Sequence, residues 1–257
     1  MKTPLSGYVG GKSKLVPEIL KRMPAHTCYV EPFAGAAWPL FAKEPSKVEV
    51  INDVNLNLIT LYRCVQNHLE ELVRQFKWIL LHRAEFDRQK RVQADTLTDI
   101  QRAARFLYQL KLSFGGKVEG QVFGTSATAP PRFNLLRIEQ ALEEAHFRLA
   151  RVLIECLPYH EVIRRYDRRT TFFYVDPPYY GTEHYYGRGG ECFKRDDFAA
   201  LAEQLQGIEG RFLLSLNDVP EVREIFSAFL IEPVATSYTV GATTTKAKEV
   251  FIRNFDI

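Results

Sequence analysis

The sequence predicts an α/β protein whose mostly parallel sheet is interrupted by a mainly helical insert. Short β-favouring runs alternate with helical patterns in the first and last parts of the chain, whereas the middle shows apolar residues at three- and four-residue spacing. A length of 257 residues suits one full domain with a modest insertion, and 46% hydrophobic with 25% charged residues is typical of a globular chain.

The first part contains a predicted strand–helix–strand unit. β-favouring residues occupy Thr27 to Val30 and Lys47 to Ile51, and a helix is expected from Ala34 to Lys43 with Pro39 near its first turn. This order of elements favours parallel pairing of the two strands.

The middle part is predicted to be helical with one irregular stretch. Apolar residues from Leu56 to Ile79 predict one long amphipathic helix, and similar patterns run from about Leu97 to Leu112 and from about Leu135 to Leu149. Glycines and paired prolines predict a loop or hairpin at about 114–131.

The last part returns to alternating elements. We expect helices at Tyr159–Tyr166, Asp196–Gln206 and Val219–Phe229, and strands at Val152–Leu157, Phe172–Val175, Arg211–Leu216 and near Ile231–Tyr238 and Glu249–Phe255. Residues 1–55 and 151–257 are therefore expected to form one domain, with residues 56–150 as the insert.

Charge and cysteine content narrow the classes of function. The formal net charge is only +3, but the stretch from Arg74 to Arg137 carries twelve Lys and Arg against five Asp and Glu, which is compatible with a polyanionic partner. The four cysteines form neither a disulfide ladder nor a zinc pattern. No leader or membrane-spanning run is visible, so the cytoplasm is the expected compartment.

The strongest local signal is the tetrad Asp176-Pro177-Pro178-Tyr179. It follows an apolar run, which places a carboxylate, two rigid residues and an aromatic ring at the carboxyl end of a strand, where open α/β sheets bind ligands. Hydrogen bonds from a planar amino group to the Asp176 carboxylate and the Pro177 carbonyl would make its nitrogen more nucleophilic, and Tyr179 would stack on its ring. This chemistry also predicts that no strong cation lies beside the carboxylate.

The tetrad resembles the catalytic motif of the amino-group DNA methyltransferases. An aromatic-x-Gly-Gly-Lys element, here Tyr8 to Lys12, is similar to the amino-terminal element of the Dam-like, or alpha-subgroup, adenine methylases. The resemblance implies that Tyr8 and Lys12 line the pocket of the methyl donor S-adenosylmethionine. It also implies catalytic roles for Asp176, Pro177 and Tyr179, with Asp176 contacting the cofactor as well.

Two further segments resemble the cofactor-binding elements of this family. Val30 to Gly35 is similar to its first cofactor loop, which implies that Glu31, Phe33 and Gly35 bind the cofactor, with glycine permitting a close backbone approach. The chain departs from the family at Ala37, where a second glycine is usual. We therefore expect Ala37 to adopt a different backbone conformation and to alter cofactor affinity.

Asp53 ends the next predicted strand after the loop. An acidic side chain at that position accepts hydrogen bonds from ribose hydroxyls in Rossmann-like sheets. We therefore expect Asp53 to bind the cofactor.

The order of the segments is that of the alpha subgroup. The resemblance implies a Rossmann-like methyltransferase sheet, mostly parallel with an antiparallel strand near the carboxyl end, and an insert that recognises the target. The implied activity is site-specific methyl transfer from S-adenosylmethionine to N6 of an adenine flipped out of double-stranded DNA. Lys111, Lys117 and Arg132 are the candidate DNA contacts, and we expect a monomer that needs no metal.

Other functions stay open at this point. DNA cytosine-N4 or RNA adenine methylation poses the same electronic problem, although Asp176 argues for DNA and the segment order argues for adenine. A non-catalytic DNA-binding relative of the fold has Ala37 as its only support. Gly7 to Ser13 imitates a phosphate-binding loop, but it is one residue short and no strand precedes it.

Overall fold

The computed structural model describes residues 3, 5, 12–116, 120–125, 127–128, 133–182, 193–240 and 243–257, apart from the side chains of 235–240 and 243–247. Its strands are β1 (Cys28–Glu31), β2 (Val48–Asn52), β3 (Leu153–Glu155), β4 (Thr171–Val175), β5 (Arg211–Asn217), β6 (Leu230–Val240) and β7 (Thr243–Arg253). They form one sheet in the order β3-β2-β1-β4-β5-β7-β6. The first five strands are parallel, and β7 is antiparallel to β5 and β6, which confirms the predicted sheet.

Helices cover both faces of this sheet. They are α1 (Val16–Arg22), α2 (Trp38–Ala42), α3 (Leu56–Asn67), α4 (Leu69–Phe76), α5 (Arg83–Arg91), α6 (Asp99–Leu112), α7 (Leu135–Leu149), α8 (Tyr159–Tyr166), α9 (Asp197–Gln206) and α10 (Pro220–Ile225). Helices α3 to α7 lie between β2 and β3 in the chain, as expected for a helical insert. None of the helices in the described ranges is long and apolar enough to cross a bilayer.

The central strand β4 shows how the sheet is buried. All five of its residues are buried, because both faces of a parallel sheet are covered. Phe172 and Tyr174 contribute to one apolar core, and Phe173 and Val175 contribute to the other. The first core continues into the insert, so the insert helices pack directly on the sheet that carries the site.

Three predicted helices differ from the observed ones, and the last of them, expected at Val219–Phe229, covers only Pro220–Ile225. The stripe from Leu56 to Ile79 predicted one helix, but His68 adopts φ −137° and ψ 41° and separates α3 from α4. Both helices keep the same apolar periodicity because both pack against α6 and α7. The helix expected from Ala34 begins only at Trp38, because Gly35 and Ala37 have positive φ.

The glycine-rich stretch begins as a short hairpin. The amide of Phe114 donates to the Val122 carbonyl at 2.8 Å, and Gly124 donates to the Leu112 carbonyl at 2.7 Å. Antiparallel pairing of this kind agrees with the loop or hairpin predicted at 114–131. Residues 117–119, 126 and 129–132 lie outside the described residues. Helix α5 was not predicted, because only Phe86 of its nine residues is buried and the apolar pattern is correspondingly weak.

Candidate active site

The candidate site lies at the edge of the sheet where the parallel strands end. The first cofactor loop follows β1, Asp53 follows β2, and the tetrad Asp176 to Tyr179 follows β4. Strand β7 runs antiparallel to β5 and pairs Glu249 with Asn217, the last residue of β5. Glu249, from the middle of β7, therefore lies at the same edge of the sheet.

The cofactor loop is held from two sides. Gly35 has φ +47°, a left-handed conformation that favours glycine. Its amide donates to Asp53 Oδ2 at 3.0 Å, and its carbonyl accepts from the Tyr62 hydroxyl at 2.7 Å. The first insert helix therefore takes part in fixing the loop.

The Asp53 carboxylate already holds part of the backbone. Its Oδ1 accepts from the Asn55 amide at 2.9 Å, while Oδ2 accepts from Gly35. Burial raises the pKa of Asp53, and these two amides oppose that rise. A carboxylate offers about four acceptor sites, so these two bonds leave capacity for hydroxyl groups of a ligand.

The structure gives Glu31 and Phe33 different surroundings. The buried Glu31 accepts through Oε1 from the Tyr29 hydroxyl at 2.8 Å and from the Leu40 amide at 2.9 Å, so it anchors α2. Burial raises the pKa of Glu31 to about 8. The half-buried Phe33 ring stacks on Tyr159 with centroids 5.2 Å apart. Direct cofactor contact by either residue stays a prediction.

Ala37 corrects one expectation. It has φ 49° and ψ 40°, which is the left-handed conformation in which glycine is usual. The prediction that alanine would force a different backbone conformation is therefore wrong. A buried environment, with the side chain only 1% exposed, holds Ala37 in place despite the steric cost of its Cβ.

The Asp176 carboxylate is partly open to solvent, with 20% of its side chain exposed. Its Oδ1 lies 3.1 Å from Lys12 Nζ and accepts from the Ser215 hydroxyl, also at 3.1 Å. Burial raises the pKa of Asp176 to about 6; Lys12 opposes the rise and Glu249 adds to it. The expectation of no strong cation beside Asp176 is therefore wrong.

Lys12 is tolerated there because a second carboxylate shares it. Its ammonium group also donates to the Tyr179 hydroxyl and, at 3.3 Å, to Glu249 Oε2. Tyr179 in turn donates to Glu249 Oε1 at 2.5 Å, and Lys12 Nζ lies 4.1 Å from the centroid of the Tyr179 ring. Burial, with the neighbouring charges of Glu249 and Asp176, holds the pKa of Tyr179 well above its usual range.

Sequence reasoning missed Glu249 and Ser215. The available signal was a Glu directly before the apolar run Val250 to Ile252, because an acidic residue that begins such a run risks being buried. The predicted residues Tyr8, Lys117 and Arg132 lie outside the described residues, and Lys111 is half-buried near the end of α6. In the described ranges, no group of three or more His, Cys, Asp or Glu could hold a metal ion.

Comparison with known proteins identifies the family. A family model described as D12 class N6 adenine-specific DNA methyltransferase matches residues 8–240. The type II methyltransferase M1.LlaDCHI of Lactococcus lactis subsp. cremoris is 25% identical over 98% of this chain and 95% of its own length. The DNA adenine methylase of Escherichia coli strain K12 is 26% identical over 95% of this chain and 91% of its own length.

A third relative also aligns over nearly the whole length of both chains. The type II methyltransferase M.MjaIII of Methanocaldococcus jannaschii is 23% identical over 98% of this chain and 99% of its own length. The matches span the cofactor loop, the insert and the tetrad, and they confirm the predicted site-specific methylation of adenine in DNA over the alternatives. The chain belongs to the D12 class N6 adenine-specific DNA methyltransferase family.

Proposed function

We propose that this chain transfers the methyl group of S-adenosylmethionine to N6 of an adenine extruded from double-stranded DNA, with Asp176 as the acceptor that activates the amino group. The carrying observation is the partly exposed carboxylate of Asp176 at the sheet edge where the Gly35 loop and Asp53 also lie. Both contacts that the described residues make with this carboxylate fall on Oδ1, which leaves Oδ2 for the substrate.

The residues at this edge fit S-adenosylmethionine. Asp53 has acceptor capacity left for the ribose hydroxyls, and Gly35 permits the backbone to approach the methionine moiety. Phe33 offers an aromatic surface beside them, while Glu31 fixes the loop. When bound, the cofactor supplies an electrophilic methyl group on a sulfonium sulfur.

The tetrad performs the other half of the reaction. Asp176 Oδ2 and the Pro177 carbonyl accept the two N6 hydrogens, which directs the nitrogen lone pair away from the ring and toward the methyl group. The Tyr179 ring, whose hydroxyl is held by Lys12 and Glu249, stacks on the extruded base. Methyl transfer would break the carbon–sulfur bond of the sulfonium and leave a neutral thioether. The nitrogen would lose one proton as the new bond forms, and Asp176 is placed to receive it.

The insert binds the duplex in this proposal. Phosphate contacts from Lys111, Lys117 and Arg132 position the DNA and make binding weaker at high salt. We further propose that the chain acts as a monomer.

The substitution Asp176→Ala tests the central assignment. Loss of a charged acceptor at the reacting centre should lower kcat by about a hundredfold or more, with DNA affinity nearly unchanged. Incorporation of labelled methyl groups into unmethylated DNA, digestion to nucleosides and single-molecule sequencing would give the rate, the base and the recognition sequence.

Asp218→Ala is the matched control. Asp218 follows the neighbouring strand β5 but is paired with Arg223 at 2.6 Å, so its loss should leave kcat near that of the wild type. A near-normal rate for Asp176→Ala, or a product other than N6-methyladenine, would contradict the proposal.

A further inference from the structure

We propose that Glu249 is a positioning residue of the active site, which holds Lys12 and Tyr179 so that one oxygen of Asp176 stays available to the substrate amino group. The inference rests on the proposed roles of Asp176 and Tyr179. It adds a carboxylate that belongs to none of the sequence motifs.

The geometry of Glu249 is that of a bridge. Its side chain has no exposed surface, and its two oxygens have different partners: Oε1 accepts from the Tyr179 hydroxyl at 2.5 Å, and Oε2 accepts from Lys12 Nζ at 3.3 Å. A buried carboxylate is costly unless it is paired and hydrogen-bonded. Both of its oxygens are used on residues that face the substrate position, which a purely structural carboxylate would not require.

The first effect of Glu249 is on the charge balance around Lys12. Lys12 carries one positive charge between the carboxylates of Asp176 and Glu249. Without Glu249, the ammonium group would form a one-to-one pair with Asp176 and would occupy acceptor capacity that the N6 hydrogens need. With Glu249 present, the cation is shared between the two carboxylates.

The groups around Asp176 show that Glu249 is the one available for this purpose. The polar groups that act on it from the packed elements are Lys12, Tyr174, Tyr179, Ser215, Glu31 and Glu249. Of the two other carboxylates among these described residues, Glu31 is engaged with the Tyr29 hydroxyl and the Leu40 amide. Glu249 is the one that contacts Lys12.

Orientation of the ring is the second effect. The hydroxyl of Tyr179 is fixed from two sides, because it donates to Glu249 Oε1 at 2.5 Å and accepts from Lys12 Nζ. These two contacts hold the ring in one orientation for stacking on the base. Loss of Glu249 would release the hydroxyl and let the ring turn.

The test is Glu249→Gln, which keeps the shape and removes the charge. We expect kcat to fall about tenfold or more, because a charged hydrogen bond on each partner is lost. Affinities for S-adenosylmethionine and for a duplex with 2-aminopurine at the target position should stay within about twofold. The acid limb of the rate profile should move to lower pH, because Asp176 loses a negative neighbour.

Two further variants keep the test decisive. Glu249→Asp retains the charge but is too short to bridge both partners, so its acid limb should match the wild type while kcat stays reduced. Glu232→Gln is the matched control: Glu232 lies on the neighbouring strand β6, is ion-paired with Arg22, and should have a wild-type kcat.

The outcomes are separable. A wild-type kcat and acid limb in Glu249→Gln would overturn the inference, and so would a wild-type kcat in Glu249→Asp if the Gln variant fails to fold in a melting experiment. Failure of the proposed function has another signature, since the wild-type protein would then not methylate adenine or Asp176→Ala would stay active.

Discussion

Two lysines among the described residues are buried beside carboxylates, and their two clusters differ in which hydrogen-bond acceptors remain available. Lys12 at the sheet edge is 3% exposed and is shared by Asp176 and Glu249. Lys43, which directly follows α2, is 4% exposed and contacts Glu49 at 2.5 Å. The two clusters have similar composition and burial, so burial of charge alone does not distinguish a functional cluster from a structural one.

The Lys43 cluster is closed, in the sense that its charged groups are hydrogen-bonded to one another and to neighbouring protein atoms. The ammonium group makes three hydrogen bonds, to Glu49, to the Ser46 hydroxyl and to the Glu44 carbonyl. Arg148 of α7 binds both oxygens of Glu49, and burial of that carboxylate is outweighed by these hydrogen bonds, so its pKa is lowered.

The Lys12 cluster is open, in the sense that one of its carboxylate oxygens remains available to a ligand. Its carboxylate Asp176 is 20% exposed, has a raised pKa, and keeps Oδ2 outside the contacts with the other described residues. A buried ion cluster therefore indicates a functional site when an acceptor remains available at a cleft. It indicates a structural role when every donor and acceptor is used within the protein.

Breaking the closed cluster should give the largest change in stability. Glu49→Gln leaves Lys43 and Arg148 as uncompensated buried cations, and loss of one partner from a buried pair costs about 3–5 kcal/mol. We expect the free energy of unfolding in a urea titration to fall by that amount. The rate per folded molecule should stay within about twofold of the wild type.

Glu249→Gln, the same substitution in the Lys12 cluster, should lower kcat. Its free energy of unfolding should fall less than that of Glu49→Gln, because Lys12 keeps Asp176 as a partner. Measuring kcat and the free energy of unfolding for both Glu→Gln variants tests the two roles in one experiment. Equal losses of kcat in both variants would show that the two clusters do not divide structure from catalysis.

The pH dependence of activity should show a smaller effect, which comes from Asp176 in the Lys12 cluster. Because Asp176 has a pKa of about 6 and must be ionised to accept the N6 hydrogens, kcat/KM should be level above about pH 7 and fall about tenfold per pH unit below 6. Protonation of Asp176 at low pH removes the acceptor, so kcat/KM falls rather than rises on acidification. A rate that rises on acidification would assign the limb to another group.

The sequence predicted the parts of the site that lie in local motifs. Gly35, Asp53 and Asp176 each follow a strand, and the carboxyl ends of parallel strands meet at one edge, so their proximity follows from the strand order. The break between α3 and α4 at His68 was not predictable from apolar periodicity, because both helices pack against the same neighbours and keep one pattern.

The partners within the site were harder to predict. A place for Lys12 in the cofactor pocket stays a prediction, and its side chain contacts Asp176, Tyr179 and Glu249 among the described residues, which no local motif indicated. Those contacts depend on the antiparallel pairing of β5 with β7, which places Glu249 opposite Asn217. Such long-range register does not appear in a local motif, and so the cation beside Asp176 was not foreseen.

The smallest expected effect concerns backbone strain at the cofactor loop, where two neighbouring alanines form a natural comparison. Ala37 has positive φ, whereas Ala36 does not, and both are buried. Ala36→Gly should cost about 1–2 kcal/mol, from the lost methyl burial and the greater freedom of the unfolded chain. Ala37→Gly loses the same terms but relieves about 1–2 kcal/mol of left-handed strain.

The free energy of unfolding of Ala37→Gly should therefore stay within about 1 kcal/mol of the wild type in a urea titration, and the two variants should differ by about 1–2 kcal/mol. Equal destabilisation of both would mean that the alanine at position 37 carries no strain. Cofactor affinity measured on the same proteins would then show whether the Cβ, rather than the backbone conformation, is what this chain has changed relative to its family.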